Sequence, residues 1–200
     1  MRILFFVLLS LVSVTLTAQR GGCYCESKWD IVVNLGAGHL NSVYKVQSQD
    51  NSNLIKDKLQ LNGDISMRYS FSRFYIQPGI GFSSFATKYI PTANSSEKRN
   101  LQTITIPIIL GFNYKNDTRL YPLAEVGFIP NFVLDYSDKS VDAKEFFPSF
   151  VGKMGAGYEL SERTSIEIKA TYLQTTNVLQ NDYKASYKSI GGQIALLVKI

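Results

Sequence analysis

Twelve residues constrain this chain more than any other feature. Thr103 to Tyr114, TITIPIILGFNY, alternates two kinds of side chain without a break. Ile104, Ile106, Ile108, Leu110, Phe112 and Tyr114 form one face, which is apolar and aromatic. Thr103, Thr105, Pro107, Ile109, Gly111 and Asn113 form the other, which is mostly small or polar. A period of two belongs to a β-strand, whose successive side chains point to opposite faces. Residues 189–200 repeat the pattern, with Ile190, Ile194, Leu196, Val198 and Ile200 on the apolar face. Six more segments fit it: 29–40, 59–70, 74–85, 120–135, 147–160 and 165–174. Most are longer than the ~5–6 residues of an ordinary globular strand. They suit the ~9–11 residues of a tilted strand that crosses a membrane.

The connections between these eight segments alternate in length. Residues 41–58, 86–100, 136–146 and 175–185 are long and mostly polar, whereas 71–73, 115–119 and 161–164 are tight. Long loops at one end and tight turns at the other are expected of an outer-membrane barrel. The fold class that follows is all-β, an eight-stranded antiparallel up-and-down transmembrane β-barrel. Both termini then lie on the tight-turn, periplasmic side and the long loops face outward.

Alternation alone does not say which face points out. A soluble lipocalin-like carrier would turn its apolar face inward around a ligand. Three features favour the inverted arrangement. The less apolar face collects Gly36, Gly38, Gly79, Gly81, Gly111, Gly127, Gly155, Gly157 and Gly191, and glycine relieves crowding inside a narrow barrel. The apolar face carries aromatic residues near both strand ends, as in the two interfacial girdles of a membrane barrel. Trp29, Tyr69, Phe74, Phe112, Tyr114 and Tyr158 map to the turn side, and Phe82, Phe132, Phe150 and Tyr172 nearer the loop side. Charged residues make up 18% of the chain, low against the ~25% usual for soluble domains.

The inversion assigns the inside of the barrel. Asp30, Asp64, Glu125, Glu159 and Glu167 would face inward, opposed by Arg68, Lys153, Lys169 and Lys199. An eight-stranded interior is just wide enough for side chains to fill. Buried charges there must be nearly balanced. The expectation is therefore a structural ion network, since a diffusion channel needs a barrel of ~16–18 strands.

The first eighteen residues, MRILFFVLLSLVSVTLTA, have the basic start, apolar run and small final residue of a secretory signal peptide. Their apolar run falls short of a spanning helix. The expected organisation is a signal peptide over 1–18, a short periplasmic leader over 19–28 and the barrel over 29–200. Cys23 and Cys25 lie in the leader. A disulfide between them would close a very tight loop, and Arg20 stands where a lipoprotein signal needs a Leu-like residue.

Other chemistry finds little support. Gly36-Ala37-Gly38, Gly79-Ile80-Gly81 and Gly155-Ala156-Gly157 lack the third glycine of a nucleotide fingerprint. His39 is the single imidazole, too few for a metal site that needs two or three. It keeps open a Ser–His hydrolase acting on lipid, with Ser42 nearby, although no companion acid is identifiable. No catalytic, cofactor-binding or metal-binding residues are expected. Lys45, Lys56, Lys58, Lys88, Lys98 and Arg99 make the outer loops basic, which fits a solvated rim or contact with anionic lipid head groups. Nothing points to nucleic acid, because basic and acidic residues are interleaved. The expected partners are outer-membrane lipid and an envelope protein.

LQTITIPIILGFNY followed by RLYPLAEVGFIPNFVLDY resembles the central hairpin of PorT-like small barrels, the outer membrane protein beta-barrel domain family. VGKMGAGYELSERTSIEIKATY resembles the hairpin that follows, and SIGGQIALLVKI the closing strand. Ile200 departs from the pattern, since such chains often end on an aromatic residue. The resemblance implies an outer-membrane location in a Gram-negative bacterium and no catalytic residues. It also implies a possible link to protein secretion and gliding machinery. The readings carried forward are a non-enzymatic structural or partner-binding anchor, a secretion accessory, a lipid-modifying enzyme and a soluble carrier.

Overall fold

The computed structural model describes residues 28–46, 49–50, 55–92, 95–115, 119–137, 143–180 and 183–200. The proposed signal peptide, Cys23, Cys25 and the tips of several loops lie outside them. Ten strands form one antiparallel sheet: β1 (Lys28–Val46), β2 (Gln49–Asp50), β3 (Ile55–Phe71), β4 (Phe74–Thr92), β5 (Ser95–Thr105), β6 (Ile108–Asn113), β7 (Leu120–Tyr136), β8 (Phe146–Glu159), β9 (Thr164–Thr175) and β10 (Tyr183–Lys199). Pairing runs round the circuit in the order β1, β3, β4, β5 with β6, β7, β8, β9, β10, and β10 pairs with β1 from Asp30↔Lys199 to Val46↔Tyr183. The sheet therefore closes on itself and has no free edge, which a bilayer requires.

The ten strands occupy eight positions around the circuit. β5 and β6 both lie between β4 and β7, so they are one stave interrupted at Ile106-Pro107. Pro107 has no N–H to give the ladder, but its carbonyl still accepts from the Gly79 N–H at 2.9 Å. Across the same break the Ile106 N–H donates to the Pro130 carbonyl at 3.0 Å. The stave was expected to run unbroken from 103 to 114, and the proline explains the difference. β2 is a two-residue ribbon on the end of β1.

The strands also extend further into the loop end than the alternation suggested. β1 continues to Val46, β3 begins at Ile55, β4 and β5 reach Thr92 and Ser95, and β10 begins at Tyr183. Backbone pairing there continues after the apolar alternation has stopped. Alternation marks where one face meets an apolar surrounding, and hydrogen bonding does not depend on it.

The faces fall as inferred. Leu35, Ile65, Ile80, Leu110, Val126, Met154, Ile168, Ile190 and Ile194 are exposed on the outside. Asn34, Ser66, Arg68, Gln77, Glu125, Glu167 and Lys169 are buried inside. This is the reverse of a lipocalin-like carrier. All ten aromatic residues assigned to the girdles occupy the outward face. Several pack against a ring on the next strand at a tilt, as Trp29 does with Tyr69 (4.8 Å between ring centres) and Phe132 with Phe146 (5.3 Å).

Candidate functional site

The turn-side half of the lumen holds a closed set of charges. Arg68 projects inward from β3, two residues before the end of the alternation at Ser70, and is 1% exposed. Its two terminal nitrogens reach both carboxylate oxygens of Glu167 on β9, at 2.6 and 2.8 Å. This is the bidentate fork that guanidinium geometry favours. The same guanidinium lies 3.4 Å from Glu125 Oε1 on β7, and its Nε donates to Gln77 Oε1 at 2.9 Å. Lys169 Nζ bridges the two glutamates, 2.9 Å from Glu125 and 3.1 Å from Glu167. Lys153 Nζ lies 3.3 Å from the second oxygen of Glu125.

Two tyrosines complete the cluster. The Tyr75 hydroxyl donates to Glu125 at 2.7 Å, and the Tyr121 hydroxyl to Glu167 at 3.2 Å. The Tyr75 ring also lies under the Arg68 guanidinium, 3.9 Å from ring centre to Cζ, within cation–π range. The sheet register sets Tyr75 opposite Gly111 and Tyr121 opposite Gly157. A Cβ on either glycine would collide with the facing tyrosine ring. These two glycines are therefore the space into which the rings fold.

Of the nine charged residues expected inside, five meet in this core: Arg68, Glu125, Lys153, Glu167 and Lys169. Asp64 is held alongside by Asn34 (2.8 Å) and Ser66 (3.2 Å) and shares a small cavity with Lys153. Three cations thus face three carboxylates. Asp30 is buried at the turn-side mouth, opposite Lys199 and Arg68 in register. Glu159 has the inward parity but not the expected role. It stands one residue from the end of its alternating run, half exposed, and pairs with Lys115 at 3.0 Å. Tyr75, Tyr121, Gln77, Ser66 and Asn34 were not anticipated. Their inward parity was visible, but the carboxylates that Tyr75 and Tyr121 meet come from strands distant in sequence, whereas Gln77 and Ser66 bond each other within the β3–β4 hairpin.

Midway along the lumen is a cavity of about 30 Å3, lined by Gln60, Asp64, Thr105, Lys153, Thr171 and Gln193 among others. Ile129, Val151 and Leu173 also line it, so its wall is of mixed polarity, and a cavity of this size has room for about two waters. Towards the loop end the lumen becomes apolar, contrary to the expected polar interior. Leu40, Phe85, Leu101, Phe147, Val178 and Tyr187 belong to one buried cluster there. Phe85 stacks on Tyr187, 5.5 Å between ring centres.

Val178 belongs to the connection after β9, which was expected to be one of the long outward-facing loops. Instead residues 176–180 fold back over the mouth, with Val178 and Leu179 fully buried. The Asn177 side chain holds the fold. Its oxygen accepts from the N–H groups of Leu179 (3.3 Å) and Ala185 (2.9 Å), and its amide donates to the Leu179 carbonyl (3.1 Å). The Lys144 N–H donates to the Val178 carbonyl at 2.8 Å, tying in the connection after β7. His39 is exposed on the outward face of β1, while Ser42 is buried on the inward face. The two side chains lie on opposite sides of the wall.

The wall, its closure and its inverted faces agree with the comparisons. Residues 5–191 match the model of the family described as "Outer membrane protein beta-barrel domain". The chain belongs to that family. No curated protein matches it. Among solved structures it is similar to the outer membrane protein OprG from Pseudomonas aeruginosa, at 12% identity and a TM-score of 0.54, covering 84% of this chain and 96% of that one. It is similar to Neisserial surface protein A at 12% identity and 0.52, covering 85% and 97%. The outer membrane protease OmpT from Escherichia coli gives 6% identity and 0.50, covering 88% and 98%. At these identities the likeness is one of fold. As a member of this family the chain is an outer-membrane β-barrel.

Proposed function

We propose that this protein is a non-enzymatic outer-membrane anchor that acts through its surfaces, not through its lumen. The observation that carries this reading is the filled interior. The charged core closes the turn end and the apolar cluster, capped by Val178 and Leu179, closes the loop end. A solute would have to separate buried ion pairs and then displace packed side chains. The placement of His39 and Ser42 on opposite sides of the wall supports the non-enzymatic part. In this reading residues 1–18 direct export, both termini lie in the periplasm and the long loops meet the outside or an envelope partner.

The test is reconstitution of the full chain into vesicles loaded with a small sugar. The expected result is no swelling above that of protein-free vesicles. Swelling that scales with the amount of folded barrel would overturn the reading. An accessory role in a secretion apparatus is a narrower form of the same proposal. It predicts loss of secreted cargo on deletion, with membrane permeability unchanged.

A further inference from the structure

The backbone register does something unusual at the loop end of one wall. It sets Lys56 of β3 directly opposite Lys88 of β4, and Lys88 directly opposite Lys98 of β5. Three lysines therefore occupy one row across three adjacent strands, spaced about 4.8 Å from strand to strand. Like charges set directly opposite each other destabilise a sheet. Lys58 stands at the register shift beside Asp57, whereas Arg99 has the opposite parity to Lys98 and is buried on the inward face. In register Asp57 stands opposite Thr87 and Glu97 opposite Tyr89, so neither acid lies in the lysine row.

The height of the row identifies what could neutralise it. On β4 the outward face runs Phe74, Ile76, Pro78, Ile80, Phe82, then Ser84, Ala86 and Lys88. From Phe74 to Lys88 the strand covers about 46 Å, or about 35 Å along the barrel axis at a tilt of ~40°. The apolar band of such a barrel is ~25 Å tall. Lys88 thus stands roughly 10 Å beyond the hydrocarbon, at the level of lipid head groups.

We propose that the loop-side ends of β3, β4 and β5 form a binding row for the phosphomonoester groups of a phosphorylated glycolipid in the outward leaflet. The proposal rests on the outer-membrane reading above, with the loops facing outward. A phosphomonoester carries nearly two negative charges, so one group can offset two adjacent lysines. A phosphodiester lipid carries one charge and matches the row less well. β10, two strands round the barrel from β3, offers a built-in comparison. Lys184 and Lys188 are exposed on the outward face of β10. Lys184 faces Lys45 of β1, but Lys188 lies between Asn41 and Gln174 in register, not between other lysines.

The experiment uses the full chain in phosphatidylcholine nanodiscs doped with a minor share of lipid A. Native mass spectrometry counts the lipid A molecules that stay bound after release. Replacing Lys56, Lys88 and Lys98 together by Gln is expected to reduce the retained lipid A several-fold. As single variants of equal charge, Lys88→Gln is expected to lose a clear part of it and Lys188→Gln almost none. Equal losses in these two single variants would reduce the effect to net charge and overturn the row. Wild-type retention by the triple variant, or retention of phosphatidylglycerol as strong as that of lipid A, would overturn it too. Should the triple variant not fold, Lys88→Gln alone is expected to give an intermediate loss, and no loss refutes the proposal. Failure of the wild type to show a heat-dependent gel shift in any bilayer would instead count against the membrane reading itself.

Discussion

Arg68 touches both buried glutamates, so its removal is not a local event. Arg68→Ala leaves Lys153 and Lys169 as the cations facing Glu125 and Glu167 in this cluster, and strips Tyr75 of its cation. Breaking a buried ion pair by deleting one partner costs ~3–5 kcal/mol. The expected result is a large drop in the denaturant midpoint of the folded band on unboiled gels. Arg68→Lys should recover part of it, since a point charge cannot make the two-pronged contact with Glu167. The glycines divide just as sharply. Gly111→Ala forces the Tyr75 ring to move and is expected to cost ~1–3 kcal/mol, as overpacking does. Gly152 has nothing within 4 Å of a built Cβ. Gly152→Ala is therefore expected to be neutral or to stabilise by up to ~1 kcal/mol through reduced chain entropy. Midpoints for the two variants that fall equally would refute the assignment of Gly111 as the space for Tyr75.

At the scale of elements, what the sequence disclosed follows from which forces are local. Alternation is local, so the eight staves and the facing of Ile104 or Ile194 could be seen directly. Proline chemistry is local as well, yet the break at Pro107 was hidden, because the residues on both sides keep the same parity. The inward residues were harder. Tyr75 and Glu125 share the inward parity, but their contact joins β4 to β7 across the lumen, and no spacing encodes that. The capping segment was hidden for a related reason. Val178 and Leu179 sit among polar residues, and the segment is turned inward by the Asn177 contacts, the tie to Lys144 and further bonds to Pro148, Ala143 and Ala185. Asn177→Ala removes three hydrogen bonds, each worth ~1 kcal/mol. The expected outcome is faster amide hydrogen exchange at Lys144, Val178 and Ala185, with the exchange of β3 and β7 unchanged. Unaltered exchange at those three positions would show that packing of Val178 and Leu179 holds the cap without Asn177.

At the scale of the molecule, the outward face must match the thickness of its surroundings. On β10 the exposed apolar residues run from Ile190 to Ile200, with Lys188 and Lys184 beyond them. Ten residues of strand cover about 33 Å, or about 25 Å along the axis at a tilt of ~40°. That equals the apolar band of a membrane barrel. A lysine placed along this strand should therefore cost energy according to its depth. Lys at Ile194 lies near the middle and is expected to cost ~2–4 kcal/mol, whereas Lys at Ile190 or Ile200 should cost ~0–1 kcal/mol. The measurement is the folding free energy in lipid vesicles for the three single variants. A maximum at Ile194 is the signature of a bilayer around the barrel. A water-exposed wall predicts no such maximum, since a surface lysine in water is worth within about 0.5 kcal/mol of the residue it replaces. Equal costs at all three positions would thus move the apolar band out of the membrane, and with it the height assigned to the Lys56–Lys88–Lys98 row.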